Sequence, residues 1–332
     1  MYAIHTEQLT KYYGKARGII DLDLAVEEGE FFGFIGPNGA GKSTTIRTLL
    51  GLIGPTKGTA QVFGRDIVSE KTAILADAGY LPSEATFYGG MKVRDILKLS
   101  ANLRKTDCRA ESASLCDRLQ LDTSRKVDEL SFGNRKKVGI VCALQHMPRL
   151  LILDEPTSGL DPLMQREFFK ILRERNHQGT TVFLSSHVLS EIQRNCQRAA
   201  IIRDGRLVAC DSVDALAKTN ARRVTVRGDF VAKERLGSGQ AFDTAGLSTS
   251  GQAFDIAGLS TSGQAFDTAG LSGVRDLQIS EDGVSFLYSG DINQLTARLA
   301  KCRIDDILVA EPDLEEIFLH YYADDNEGGE PR

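Results

Sequence analysis

Residues 31–44 read FFGFIGPNGAGKST. Five apolar residues, Phe31 to Ile35, run into a glycine-rich turn that satisfies G-x-x-x-x-G-K-[ST] over Gly36 to Ser43, and a helical pattern follows from Thr44 to Leu50. Strand, loop and helix in that order make an anion cradle. The loop Gly36, Pro37, Asn38, Gly39, Ala40, Gly41 turns backbone N–H groups inward, and the helix behind it points its positive end at a phosphate. Lys42 adds charge there, Ser43 offers a hydroxyl to Mg²⁺, and Thr44 opens the helix. A chance glycine turn would account for the three glycines but not for Lys-Ser at this offset.

A phosphate cradle needs a second acid for magnesium, and LLILDEP supplies it. Leu150 to Leu153 is apolar on both faces, as a buried parallel strand would be, and Asp154 ends it where α/β sheets place ligand groups. Glu155 stands just beyond the strand, and alternation turns it from Asp154's metal toward an attacking water. Around these motifs, short apolar segments (Thr181 to Leu184, Ala200 to Ile202) alternate with helical patterns, which predicts an α/β fold. Gln165 to Arg175 is the clearest helix, with Phe168, Phe169, Ile171 and Leu172 on one side and Arg166, Glu167, Lys170 and Glu174 on the other.

The chain has 332 residues, enough for about two domains. Lys and Arg number 40 against 45 Asp and Glu, and the net charge of −5 argues against a protein that grips nucleic acid through a basic field. No apolar run approaches the roughly 18 residues of a membrane span, and the first residues lack the apolar core of a secretory signal. Six cysteines (Cys108, Cys116, Cys142, Cys196, Cys210, Cys302) include no Cys-x-x-Cys pair, so reduced thiols are expected rather than zinc or a disulfide framework.

Between Ser238 and Gly273 the sequence repeats with a period of 12: SGQAFDTAGLST, SGQAFDIAGLST, SGQAFDTAGLSG. Two glycines, one Phe and one Leu per unit give little to bury, and the expectation is a flexible surface loop rather than a stacked solenoid. On either side order returns. Arg223 to Arg227 and Val284 to Tyr288 alternate as strands, Asp291 can cap a helix carrying Ile292, Leu295 and Leu299, and Ile304 to Val309 suggests another strand. Asp313 and Glu316 have capping-box spacing before Ile317, Phe318 and Leu319. The expected organisation is a catalytic domain over 1–220, a small α+β domain over 221–322 interrupted by the repeat at 238–273, and a disordered tail over 323–332.

With LSFGN at Leu130 to Asn134, TSGLD at Thr157 to Asp161 and SSH at Ser185 to His187, all in order, the chain resembles the ATP-binding cassette (ABC) ATPases. The resemblance implies a P-loop NTPase cassette of a RecA-like lobe plus a helical lobe, with ATP and Mg²⁺ as cofactors. It also implies a head-to-tail dimer with a second ABC cassette, each ATP lying between one phosphate loop and the other subunit's signature segment. It gives Tyr13, in KYYG, an adenine-stacking role, Glu155 the general base, Asp161 a contact across the dimer and His187 a bond to the γ-phosphate. The physics of the signature agrees. Ser131 stands where a helix begins, and Ser131, Phe132 and Gly133 offer a hydroxyl, N–H groups and a helix dipole to a phosphate approaching from outside.

Two departures matter. The usual signature is LSGGQ, whereas Phe132 replaces its first glycine and Asn134 its glutamine; Gly133 is retained. Where the family has a metal-contacting glutamine, GYLPSE places Ser83, too short for a firm metal contact, with a water or Glu84 as the substitute. LSTSGQ in the repeats, at Leu247 and Leu259, mimics the signature but precedes no strand with paired acids, and receives no nucleotide role. The expected function is that of the ATPase subunit of an exporter, cytoplasmic and held to the inner face of the membrane by a separate multi-span permease, with no nucleic acid as partner. The LEEIFLHYY ending resembles export members of the family. Two alternatives stand beside it: a soluble ABC protein acting on ribosomes or DNA, and an ATP-binding switch with impaired hydrolysis.

Overall fold

The computed structural model describes residues 1–217, 222–227, 231–232, 259–261, 264–266, 273–280, 283–300 and 304–310. The chain divides into two compact units, Met1–Val213 and Asp214–Arg332. In the first, the strands are β1 (Tyr2–Tyr13), β2 (Ala16–Glu27), β3 (Phe31–Ile35), β4 (Lys57–Val62), β5 (Arg65–Asp66), β6 (Ala78–Leu81), β7 (Leu150–Asp154), β8 (Thr181–Ser186), β9 (Arg198–Arg203) and β10 (Arg206–Ser212). The helices are α1 (Lys42–Leu49), α2 (Lys71–Asp77), α3 (Val93–Leu103), α4 (Arg109–Arg118), α5 (Phe132–Leu144), α6 (Pro162–His177) and α7 (Leu189–Asn195); α8 (Val213–Ala217) follows β10.

Two sheets carry this unit. β2-β1-β4-β5 is antiparallel, and β10-β9-β3-β8-β7-β6 is parallel except at its β10 edge. The central parallel strands β3, β7 and β8 are short and buried throughout, as helices on both faces require, and Phe183 of β8 stacks at 5.8 Å on Phe32 and packs at 5.3 Å on Phe34 of β3. Register decides the function of this sheet. Ile35 lies beside Ser186, Asp154 beside Ser185 and Leu81 beside Leu153, so the segments leaving β3, β6, β7 and β8 emerge side by side at one edge.

In the second unit, β11 (Arg222–Arg227), β12 (Val231–Ala232), β13 (Leu259–Thr261), β14 (Gln264–Phe266), β15 (Val274–Ser280), β16 (Gly283–Tyr288), α9 (Ile292–Leu299) and β17 (Asp306–Ala310) follow in order. The sheet β15-β16-β11-β17 buries Val224, Val226, Val284, Phe286 and Tyr288 with Leu295 and Leu299 of α9. Asp291 caps α9, its carboxylate accepting from Asn293 N at 2.9 Å. Ile292, expected on the apolar side, is instead 45% exposed: it opens the helix, one turn short of Leu295. Within the repeats the expectation of a loop does not extend to β13 and β14, which pair antiparallel with Leu259 opposite Phe266, β12 pairing with β13. The rest of the repeat, the capping box at Asp313, the LEEIFLHYY segment, Cys302 and the tail lie outside the described residues. The other five cysteines are free, and burial pushes the Cys142 thiol up to about 11.

Candidate functional site

The phosphate loop has the backbone its sequence demands. Gly39 and Gly41 take left-handed φ of 81° and 111°, and Gly41 is the residue from which α1 starts. A methyl on Gly41 would lie 2.9 Å from Gly18 O, so the loop is also closed behind by the β2 strand. Inside the loop Lys42 folds back, donating to Gly36 O at 2.6 Å and Pro37 O at 3.1 Å, and it is 5% exposed.

Two chains of polar contacts join this loop to the neighbouring strand ends. In the first, Ser43 Oγ donates to Asp154 Oδ2 at 2.7 Å and Ser185 Oγ to Asp154 Oδ1 at 2.8 Å; Asp154 is wholly buried. In the second, the Glu155 carboxylate lies between Lys42 Nζ at 3.2 Å and His187 Nδ1 at 2.7 Å. Glu155 reaches them because its backbone turns left-handed (φ 47°) immediately after β7, while its N–H still donates to Ser185 O at 3.0 Å. The two acids therefore face different partners: Asp154, wholly buried, holds the hydroxyls of Ser43 and Ser185, and the left-handed turn brings the Glu155 carboxylate into the cleft beside Lys42 and His187.

The cleft holds about 290 Å³ and is lined by Arg17, Gly18, Pro37, Asn38, Gly39, Gly41, Lys42, Ser43, Thr44, Ser83 and Glu155. Ser83 thus reaches the site. Tyr13 is not in the lining but stands at its rim: a methyl on Gly18 would lie 3.2 Å from Tyr13 Cε2, and the ring is half-exposed with Lys11 Nζ 5.6 Å from its centroid. Ser43 and Asp154 are hard oxygen donors of the kind Mg²⁺ takes sparingly, alongside waters and phosphate oxygens, and Ser185 holds Asp154's other oxygen so that Oδ2 faces Ser43. Among the described residues no cluster of three or more His, Cys, Asp or Glu could hold a metal by itself.

Ser131, Gly133 and Asp161 do not line this cleft. Ser131 caps α5, its Oγ accepting from Asn134 N at 3.3 Å, and Asp161 caps α6, its Oδ1 accepting from Leu163 N at 3.1 Å and Met164 N at 3.0 Å. The two segments interlock. The Phe132 ring covers Gly159, whose φ is 79°, and a methyl on Gly133 would collide with the Gly159 carbonyl oxygen. Gly133 is therefore demanded by its own chain, independently of any phosphate.

Two functional groups escaped the sequence reading. Ser185 holds Asp154, and a hydroxyl closing an otherwise apolar strand was the signal available. Lys136 is the other. It is 1% exposed, donates to Ser83 O at 2.8 Å and Pro82 O at 3.1 Å, and burial pushes its ammonium down to about 8 against the attraction of Asp154, Glu155 and Glu84. Val138 to Val141 behind it, apolar on every side, mark a helix with no solvent face.

Comparison with known proteins gives the chain its relatives. A family model described as ABC transporter matches residues 19–158. The bacitracin transport ATP-binding protein of Bacillus licheniformis is 39% identical over 226 residues, covering 66% of this chain and 72% of the relative. The Nod factor export ATP-binding protein I of Paraburkholderia xenovorans is 34% identical over 219 residues, covering 64% and 72%. Among solved structures, an ATP-binding subunit of an ABC transporter superposes with a TM-score of 0.61 at 29% identity, covering 65% of this chain and 92% of that one.

Proposed function

Since the chain belongs to the ABC transporter family as one of its ATP-binding proteins, and is an ATPase, we propose that it powers export through a separate multi-span permease. The observation that carries this reading is the convergence of four strand ends on one cleft, with Ser43, Asp154 and Ser185 in one contact chain and Lys42, Glu155 and His187 in the other.

In this reading the loop Gly36 to Thr44 wraps the phosphates of ATP, and Tyr13 stacks on adenine from the rim. Ser43 and Asp154 would hold Mg²⁺, which would supply charge to screen the phosphoryl oxygens. The γ-phosphate competes with Glu155 for Lys42 and His187. Once released, Glu155 can accept the proton of the attacking water while His187 keeps its bond to the γ-phosphate. Ser131, Gly133 and Asp161, which lie away from their own cleft, serve the cleft of a second cassette, with Phe132 and Asn134 presented beside them. ATP binding closes that dimer, hydrolysis reopens it, and the cycle drives the permease.

No helix among the described residues is long and apolar enough to cross a membrane, which fits a chain held at the inner membrane face by its permease. A groove of about 1020 Å³, with Tyr88 and Leu103 each 76% exposed on its lining, offers that partner an apolar seat. The relatives' names, bacitracin transport and Nod factor export, support an exporter over a ribosome- or DNA-acting protein. The intact contact chains count against a binding-only switch. Glu155→Gln tests the chemistry: turnover should fall by roughly a hundredfold or more, with ATP retained and a stable dimer on sizing. Phosphate release near the unmodified rate would remove Glu155 from its role as base. Recovery of the chain from membranes with a multi-span protein supports the permease; recovery with ribosomes overturns it.

A further inference from the structure

We infer that Lys136 is a positioning residue for hydrolysis: from the helix that begins at the signature serine, it clamps the carbonyls of Pro82 and Ser83 and so sets Ser83 in the phosphate cleft. The inference rests on reading that cleft as the ATP site.

The helix is placed to do this by two close backbone approaches. α5 lies directly on β6, where a methyl on Gly79 would collide with Ala143 O and a methyl on Gly139 would stand 2.8 Å from Leu81 Cδ1. Locked at both points, α5 carries Lys136, less than one turn before Gly139, to the chain as it leaves β6. There Nζ donates to Ser83 O at 2.8 Å and Pro82 O at 3.1 Å, and the same Ser83 lines the cleft beside Lys42 and Glu155.

The cation itself needs explaining. A buried ammonium is costly unless paired, and the bonds of Lys136 go to two carbonyls rather than to a carboxylate. An apolar residue would pack such a helix at less cost but would leave both carbonyls without a donor and the turn after β6 unanchored. Ser131, which caps the same helix, ties the consequence to the partner: a displacement of the signature end of α5 passes along a rigid element to the Ser83 carbonyl. Lys136 acts through Ser83 and touches no reacting atom.

The test is steady-state ATPase of the full chain carrying Lys136→Met, Lys136→Gln, Ser83→Ala and the Met/Ala pair. Lys136→Met should lower kcat roughly ten- to a hundredfold, as a misplaced group does, with KM for ATP moved less than about twofold. Lys136→Gln, whose amide still donates to carbonyls, should recover most of that loss. Adding Ser83→Ala to Lys136→Met should cost little more, because the serine is already misplaced. Losses carried in KM, equal losses for Met and Gln, or losses that multiply in the pair would each overturn the inference. Where Lys136→Met does not fold, Lys136→Asn, whose shorter amide loses the reach to the two carbonyls while staying polar, takes its place in the same cycle with Ser83→Ala. An unmodified chain without ATPase activity would instead refute the reading of the cleft.

Discussion

The phosphate cleft and the signature segment are built on opposite plans. In the cleft every charged group is already satisfied within the chain: Lys42 by two carbonyls and Glu155, Glu155 by His187, Asp154 by two serines. The signature segment holds its polar groups near the surface, spends the Ser131 hydroxyl on capping its own helix, and leaves Phe132 43% exposed. The first is a set of groups that a ligand must reorganise; the second is a rigid surface that a ligand and a partner must come to. In the proposed dimer one chain carries one half of each of two sites, and the halves can be broken separately.

The largest effect separates them. Lys42→Ala removes the buried cation, and Ser131→Asp keeps a good helix cap while setting a carboxylate where a phosphate would arrive. Each alone should lower ATPase turnover by roughly a hundredfold or more. Mixed in equal amounts they should recover toward about a quarter of the unmodified rate, since half the dimers are mixed and each of those holds one intact site. No recovery on mixing would show that the signature serves its own cleft.

The interlock of the signature segment with the turn at Gly159 gives the next effect. Gly159 sits at φ 79° beneath the Phe132 ring, so Gly159→Ala carries both a left-handed strain of about 1–2 kcal/mol and a collision with the ring. The melting temperature should fall by several degrees, at roughly 2–4 °C per kcal/mol. Adding Phe132→Ala should return part of that fall, the strained backbone keeping the rest. A double variant no more stable than Gly159→Ala alone would mean that the ring is not what the methyl meets.

The same contrast explains what could be read in advance. The cleft was legible because its chemistry is local: Gly36 to Ser43 is one loop, and Asp154-Glu155 one strand end, each with a spacing that carries its own mechanism. What stayed hidden depends on register between strands far apart in the chain. Ser185 meets Asp154 because β7 and β8 are neighbours, and Lys136 meets Ser83 because α5 lies on β6; no spacing in the sequence encodes either pairing. The left-handed turn at Glu155 was hidden for a different reason, since a glutamate gives no sign of adopting it. Gly133 was singled out for its neighbourhood to phosphate, and the structure adds a second demand on it from Gly159.

The smallest effect lies away from both regions, at the far end of the signature helix. His146 follows α5 directly, with Nε2 3.3 Å from Ala78 O at the start of β6, and burial pushes its imidazole down to about 4. The sign follows from which state takes the proton. As pH falls from about 6.5 toward 4, the unfolded chain protonates its histidine while the folded one does not, so this contribution to stability is complete above about 6.5 and is lost on acidification. His146→Gln keeps a donor for the Ala78 carbonyl and removes the titration. Between pH 7 and pH 5 the melting temperature of the unmodified chain should therefore drop further than that of the variant, by a few degrees at roughly 2–4 °C per kcal/mol. Equal drops would place the histidine in contact with water.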